Sequence, residues 1–325
     1  MELETGSRGA AITDVTILGG GPVGLYGAYS CGLHGLSCRL IERLPHLGGQ
    51  LTALYPEKLI FDVAGYPAVR AQVLVEALKE QAFQYAMDVH LEEEVKSLQV
   101  ESDSVLIGTT RGSYRSRTVV ITAGIGEFSP RRLGTPDVDR AEGQGVHYVV
   151  GSLKPFHGRD VVIVGGGDSA ADWAINLAGL AKSITLVHRR PTFQCHPDSA
   201  RKLRQGPFRL EMHQALVDVE LVDGHVAAVK LGDAEAGAEQ WIRAQEVIIA
   251  IGLVADLGPL RSTGLEISGN EIPITPSGET NLPRVYAAGD VVTYPGKTKL
   301  IATGFGEVAT AVYGTARWLK REAAG

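Results

Sequence analysis

The stretch Asp14–Arg43 reads DVTILGGGPVGLYGAYSCGLHGLSCRLIER, and Asp160–Arg189 reads DVVIVGGGDSAADWAINLAGLAKSITLVHR. The two stretches align without a gap at a constant offset of 146 residues. Each contains a short apolar run, a glycine-rich turn, a helical segment and a second β-rich run, which is the pattern of a βαβ unit. Two copies in register predict two nucleotide-binding domains in one chain.

The first glycine turn has the spacing G-x-G-x-x-G at Gly19, Gly21 and Gly24, with Pro22 at the start of the helix. The first glycine allows a tight turn, the second lets the backbone approach a pyrophosphate, and the third lets helix and strand pack closely. The helix N-terminus offers N–H groups and partial positive charge to the phosphates. Glu42 ends the second strand, where a carboxylate accepts hydrogen bonds from ribose hydroxyls. An incidental glycine-rich turn is the alternative, which the second copy in register disfavours.

The second glycine turn has basic residues where the first copy has an acid. Its candidate contacts are Gly165, Gly167, Asp168, Ser169 and Ala170. His188 stands at the position of Glu42 and is followed by Arg189 and Arg190. An acid there suits a free 2′-hydroxyl, whereas a basic cluster suits a 2′-phosphate. Charge-assisted bonds from arginine are worth roughly 1.5–3 kcal/mol each, so each would favour NADPH over NADH by about tenfold to somewhat more than a hundredfold. A solvated basic strand end is the alternative. We predict FAD at the first turn and NADPH at the second.

The remaining segments repeat the same layout. Helical spacing covers Tyr66–Ala86, and β segments run from Val89 to Ala123. After the second copy, β segments return at Phe208–Met212, Leu216–Val222, Val226–Leu231 and Gln245–Ile251. We therefore expect an α/β fold of two Rossmann-like, three-layer (ββα) nucleotide-binding domains, each a parallel sheet with an attached β-meander.

The end of the chain completes the first domain. A strand at Arg284–Asp290 and a helix from about Gly306 to Glu322 are expected to have no equivalent in the second unit. We predict an NADPH domain at residues 119–252 inserted in an FAD domain formed by residues 1–118 and 253–325. Asp290 can bind the ribityl hydroxyls of FAD, although an ordinary strand-ending turn fits it equally. Gly304-Phe-Gly-Glu307 is expected to open the last helix, whose N-terminus can stabilise negative charge on a reduced flavin.

Composition narrows the class of protein. The chain of 325 residues is 44% apolar and 21% charged, with a formal net charge of −6, which does not indicate nucleic-acid or membrane binding. The three cysteines form no C-x-x-C pair and are typical of a reducing compartment. Met1–Thr13 is polar, and no apolar stretch reaches the roughly 18 residues that a membrane span needs. We expect a cytoplasmic enzyme with no metal site.

Assembled, these motifs resemble the ferredoxin–NADP⁺ reductases of the thioredoxin-reductase-like type over nearly the whole chain. The motifs that carry the resemblance are Leu47–Lys58, Asp62–Pro67, Gly165–Ser169, His188–Arg190 and Gly289-Asp290. The resemblance implies that Gln50 and Tyr55 contact FAD, with Tyr55 near the flavin. It also implies backbone contacts from Val95 to the adenine side and a position for Phe128 against the isoalloxazine. Loop packing is the alternative for the first two residues, and plain core for the last two.

One feature separates this chain from thioredoxin reductases. Where they carry a redox C-x-x-C, Gly145–Ser152 contains no cysteine, so electrons must leave the flavin directly. The resemblance implies hydride transfer from NADPH C4 to flavin N5, then single electrons to ferredoxin or flavodoxin, with no catalytic acid or base, in a homodimer. An NADPH oxidase, a quinone or flavin diaphorase, and a flavin redox sensor without turnover remain alternatives. Basic residues that could meet an acidic ferredoxin are Lys58, Arg131, Arg132, Lys297 and Lys299.

Overall fold

The computed structural model describes residues 12–233 and 237–322, so nearly all of the polar segment Met1–Thr13 lies outside the described residues. The strands are β1 Thr13–Leu18, β2 Cys38–Ile41, β3 Leu59–Ile60, β4 Val69–Arg70, β5 Asp88–His90, β6 Val95–Val100, β7 Val105–Thr109, β8 Ser113–Ile121, β9 Glu127–Pro130, β10 Val146–His147, β11 Asp160–Val164, β12 Ser183–His188, β13 Arg209–Met212, β14 Gln214–Val222, β15 His225–Asp233, β16 Glu239–Arg243, β17 Glu246–Ile249, β18 Leu253–Asp256, β19 Ile272–Pro273, β20 Val285–Ala287 and β21 Val292–Thr293. The helices are α1 Pro22–Leu33, α2 Gln50–Leu54, α3 Ala71–Ala82, α4 Pro136–Arg140, α5 Asp168–Leu177, α6 Pro197–Gln205 and α7 Ile301–Glu322.

The chain forms two compact units. The first unit contains the chain up to Ala53, then Phe61–Glu127, then the chain from Ala255 onward; the second contains Leu54–Ile60 and Phe128–Val254. The boundary predicted after residue 118 is wrong, because it falls inside β8. The second half of β8 pairs with β1 and β20 of the first unit, and that hydrogen bonding keeps the whole strand there. The repeat alone gave no indication that Leu54–Ile60 packs with the second unit.

The sheet of the first unit is built around β8. Its parallel part has the order β5-β2-β1-β8-β20. In chain order this is the 3-2-1-4-5 arrangement of a doubly wound dinucleotide fold. The first half of β8 pairs antiparallel with β7, and β7 pairs with β6, which forms the predicted meander. The order reverses between β1 and β8, and the glycine turn after β1 lies at that switch point, where such folds bind ligands.

The second unit repeats this design. Its parallel sheet has the order β13-β12-β11-β17-β10, and β14, β15 and β16 form a separate antiparallel sheet. The predicted fold class is thereby confirmed. One expectation was wrong: the edge strand β20 does have a counterpart, since β10 pairs with β17 as β20 pairs with β8. Because β10 precedes β11 in the chain, whereas β20 comes last, alignment of the repeats could not reveal the match.

Local sequence explains the elements that frame the turns. Strand β11 is buried along its whole length, which suits a parallel strand covered on both faces. Helix α1 begins with Pro22 and ends in a Schellman motif, in which Gly35 at φ +69° lets Leu36 N–H reach Cys31 O at 3.0 Å. Helix α7 begins at Ile301 rather than near Gly306 as predicted. Its first turn is fixed earlier because the Ile301 N–H donates to the Asp62 carboxylate at 2.8 Å.

Candidate functional site

Two glycines of the first turn are required by the fold itself. Gly19 has φ +112°, and a Cβ there would lie 2.5 Å from Thr122 O. A Cβ at Gly24 would overlap the backbone oxygen of Gly19, so this helix residue must be glycine for α1 to pack on β1. Thr122 ties the same turn to β8, since its hydroxyl donates to Gly19 O at 2.8 Å. These glycines therefore shape the turn without needing a ligand.

Gly21 differs because no packing explains it. It is the N-cap of α1 and has φ −71°. If a Cβ were added to Gly21, its nearest neighbour would be Gly49 Cα, 4.0 Å away. The helix start has no side-chain cap, and Pro22 at its first position removes one N–H. Among the residues that the structure describes, no side chain accepts from the other N–H groups of the first turn, which is the arrangement that binds phosphate. The open space and the uncapped helix therefore fit a pyrophosphate.

Glu42 closes the turn from the second strand. Its side chain is buried, with the residue 7% exposed, and accepts hydrogen bonds from Gly20 N at 2.6 Å and Leu44 N at 2.8 Å. Its backbone is held on the other side, where its N–H donates to His90 O and its carbonyl accepts from Glu93 N. A carboxylate has about four acceptor positions, so each oxygen retains one for a ribose hydroxyl. The predicted role of Glu42 is compatible with this geometry.

Asp290 lies where β20 ends, after Gly289 at φ +89°. A Cβ on Gly289 would lie 3.3 Å from Val23, so this turn packs against the first turn of α1. Burial raises the pKa of Asp290, Asp62 adds to that rise, and Lys297 opposes it. Within the described residues the carboxylate accepts no hydrogen bond. A half-buried carboxylate without a partner, beside an uncapped helix start, fits a hydroxyl-rich ligand.

The residues implied by family resemblance are divided between the units. Gln50 begins α2, and its side-chain amide lies beside Gly124 in the turn after β8. Val95 begins β6 and packs against the core of the first unit. Tyr55 packs against the apolar cluster of the second unit, and Phe128 also belongs to that unit. The first unit therefore contains Gln50, Val95 and the glycine turn, whereas Tyr55 and Phe128 belong to the second unit.

The second glycine turn reproduces the open position. Gly165 has φ +149° and is crowded by the backbone of Ala250 and by Ala170, which is fully buried where the first copy has a glycine. Gly167 is the N-cap of α5 and makes no side-chain capping hydrogen bond. If a Cβ were added to Gly167, no atom would lie within 4 Å of it. As at Gly21, space and helix start are free for a phosphate.

The basic cluster after β12 combines one buried histidine with two exposed arginines. His188 is 7% exposed, its Nε2 lies 3.2 Å from Thr192 O, and its ring stacks on Phe193. Burial lowers the pKa of His188, and the charges of Arg190 and Arg189 lower it further. The His188 ring fills the space beneath Gly166, so the positive charge of this cluster resides on Arg189 and Arg190, and a cofactor contact from His188 stays a prediction. Both arginines are exposed, and within the described chain neither has a hydrogen-bond or ion-pair partner.

The start of α5 is covered by a loop that sequence reasoning did not identify. Asp168 accepts the His196 N–H at 2.8 Å, so part of its bonding capacity is used within the protein. Gln194 N–H donates to Gly166 O at 2.7 Å and holds the same loop to the glycine turn. Ser169 is exposed in the first turn of α5 and stays a predicted cofactor contact.

Most of the basic residues considered for acceptor docking are already paired. The ammonium of Lys58 lies 2.8 Å from Asp172, and Lys297 is buried with Glu307, so neither is a docking residue. Arg132 pairs with Glu142, and Lys299 pairs with Glu271. Arg131 has no side-chain partner among the residues that the structure describes. Of the five, Arg131 is the one left with a free charge.

The three cysteines form no disulfide with one another. Cys31 and Cys38 are buried, Cys195 is half-buried, and all three are free. In the described ranges no helix combines the length and apolar character that a bilayer crossing requires.

Comparison with known proteins gives one family and one fold. The profile described as pyridine nucleotide-disulphide oxidoreductase matches residues 13–313. A ferredoxin–NADP reductase 2 of Shouchella clausii is 45% identical over 92% of this chain and 91% of its own length. A ferredoxin–NADP reductase of Geobacillus kaustophilus is 45% identical over 93% of this chain and 91% of its own.

Solved structures show the same fold. Thioredoxin reductase of T. acidophilum superposes with a TM-score of 0.84 at 24% identity, covering 96% of this chain and 100% of that one. Thioredoxin reductase of Lactococcus lactis, in the conformation designated FR, gives 0.82 at 21% identity, covering 95% and 99%.

Proposed function

The chain belongs to the pyridine nucleotide-disulphide oxidoreductase family, together with the ferredoxin–NADP reductases that it matches, and from this premise we propose that it is an FAD-dependent ferredoxin–NADP⁺ reductase. One observation carries the proposal. Each unit has an open glycine turn, but the charge at the end of the following strand differs. It is negative in the first unit, at Glu42, and positive in the second, at Arg189 and Arg190. A resident FAD and a substrate with a 2′-phosphate require that difference.

The first unit is the FAD domain in this proposal. Gly21 and the start of α1 bind the pyrophosphate, Glu42 binds the adenosine ribose, and Asp290 binds the ribityl chain. The backbone of Val95 contacts the adenine side, and Gln50 contacts the remainder of the cofactor. When bound, FAD supplies the chemistry of taking two electrons from NADPH and releasing them singly.

The second unit is the NADPH domain. The start of α5, at Gly167 and Ser169, binds the pyrophosphate of NADPH, and Arg189 and Arg190 bind the 2′-phosphate. Their guanidinium groups are free and exposed, which supports this assignment. Tyr55 and Phe128 remain proposed flavin contacts on the strength of the family resemblance.

The acceptor is a small one-electron carrier, ferredoxin or flavodoxin. The cysteine-free segment Gly145–Ser152 supports direct release of electrons to it, because a dithiol relay needs a pair of cysteines there. The unpaired Arg131 supplies positive charge for an acidic partner.

We also propose that the enzyme is a cytoplasmic homodimer. Helices α1 and α7 of the first unit present aromatic side chains, with Tyr26 and Phe305 ring centroids 5.0 Å apart and Tyr313 beside His34 at 5.8 Å. Tyr313 is 52% exposed and Leu33 is 55% exposed. Exposed aromatic residues are enriched at subunit interfaces, which supports a second copy at this face.

The test is steady-state reduction of cytochrome c by NADPH with and without added ferredoxin. Reduction that appears only when ferredoxin is present is the expected result. Equal rates with oxygen or a quinone, and no effect of ferredoxin, would favour an NADPH oxidase or a diaphorase. Flavin that is reduced by NADPH but turns over with no acceptor would favour a redox sensor.

A further inference from the structure

A largely enclosed glutamate side chain of α7 holds the turn that carries Asp290. Glu307 Oε2 accepts the Gly289 N–H at 2.8 Å, and Oε1 accepts both the Tyr294 hydroxyl at 2.6 Å and the Lys297 ammonium at 2.5 Å. Three donors from one nine-residue loop therefore converge on a single carboxylate.

The loop that Glu307 holds is fixed on its other side by close packing. A Cβ on Gly304, one turn before Glu307, would lie 2.5 Å from Val23 and 3.4 Å from Gly289 Cα. Gly289, Val23 and Gly304 thus bring α7, α1 and the turn together. The hydrogen bond from the Gly289 N–H fixes the Ala288–Gly289 peptide, one residue before Asp290. The direction of the Asp290 carboxylate follows from the conformation of this turn, in which Gly289 adopts φ +89°.

The ion pair between Lys297 and Glu307 holds the loop at a cost in desolvation free energy. The side chains of Lys297 and Glu307 are 6% and 9% exposed, so both charges are removed from water. Buried ion pairs often stabilise a fold no better than apolar residues of the same volume, and in some proteins they serve instead to select one geometry. Tyr294 adds to this selection, and donation to Glu307 raises the pKa of Tyr294 to about 12, so it stays a donor at physiological pH.

We propose that Glu307 is a positioning residue for FAD, which fixes the Gly289-Asp290 turn so that the Asp290 carboxylate faces the cofactor's ribityl chain. This inference rests on the proposed FAD site of the first unit. It predicts that Glu307 contributes to FAD affinity although three protein donors already occupy its carboxylate.

The test measures FAD binding to the folded apoprotein by flavin fluorescence quenching, with thermal unfolding of the same apoproteins as a separate readout. Glu307→Ala should raise the Kd for FAD by about tenfold or more, because the Gly289-Asp290 turn loses all three contacts to this carboxylate and adopts its binding conformation only part of the time. Glu307→Gln retains an oxygen for Gly289 but leaves Lys297 without a counter-charge. The double variant Glu307→Gln with Lys297→Met removes both charges and keeps that oxygen, so its Kd should return to within about threefold of wild type.

Glu76→Ala is the matched control, because Glu76 pairs with Lys79 on the exposed face of α3. Its Kd for FAD should equal that of wild type. A Kd for Glu307→Ala within twofold of wild type would overturn the positioning role, and so would failure of the neutral double variant to recover affinity when its apoprotein unfolds at the wild-type temperature. Absence of FAD binding by the wild-type chain would instead refute the proposed function itself.

Discussion

Replacing Gly21 by alanine adds one methyl group, which should weaken FAD binding and leave folding almost unchanged. The backbone at Gly21 is extended at φ −71° and ψ −176°, which any L-residue adopts without strain. The new Cβ would lie 4.0 Å from Gly49 Cα and closer to nothing else, so the apoprotein accepts it. We expect the unfolding free energy of the apoprotein to change by less than about 1 kcal/mol, the scale of N-cap effects.

The same methyl projects into the space proposed for the pyrophosphate. Losing one charge-assisted hydrogen bond of roughly 1.5–3 kcal/mol would raise the Kd for FAD by a factor of about ten to somewhat more than a hundred. Fluorescence titration of apoprotein with FAD measures the affinity, and thermal unfolding without FAD measures the stability.

Gly24→Ala is the structural control. Its Cβ would lie 1.9 Å from Gly19 O, so α1 must move away from β1, at a cost of roughly 1–3 kcal/mol or more in folding. Gly167→Ala is the ligand control, since it should raise the KM for NADPH and leave FAD binding intact. The reasoning is refuted if Gly21→Ala binds FAD within twofold of wild type, or if it destabilises the apoprotein as much as Gly24→Ala.

Three further results are expected. Replacing Arg189 and Arg190 together by alanine should raise the KM for NADPH by about tenfold to several hundredfold in steady-state kinetics and scarcely change that for NADH; an equal loss with both would contradict the phosphate assignment. Asp290→Asn should weaken FAD binding yet raise the unfolding temperature of the apoprotein at pH 7. Burial raises the pKa of Asp290, so its charge opposes folding above the ordinary carboxyl range; the stabilisation should vanish toward pH 4, and a pH-independent gain would refute this account. Arg131→Glu should raise the KM for ferredoxin severalfold at low salt, with the effect shrinking as salt screens the charges; a salt-independent change would exclude charge attraction.

Pattern alone predicted most of the fold and the principal residues of both turns. The βαβ repeats, the attached meanders and the opposite charges after β2 and β12 all depend on local spacing. The domain boundary after residue 118 failed because the pairing of β8 with β20 joins segments more than a hundred residues apart. The start of α7 was misplaced for a related reason, since Asp62 caps Ile301 from far away in the chain.

Sequence by itself determined that this chain has two nucleotide-binding turns and that they differ in the sign of the charge at the second strand. Those properties reside in short runs of residues, where glycine spacing and strand ends act locally. Only the tertiary structure decided which glycines are free for a ligand, because Gly21 and Gly24 differ in what surrounds their missing side chains. It also decided that His188 is buried while Arg189 is exposed, and that Glu307 holds the turn before Asp290. Burial and long-range hydrogen bonds arise when distant segments meet, so local spacing does not contain them.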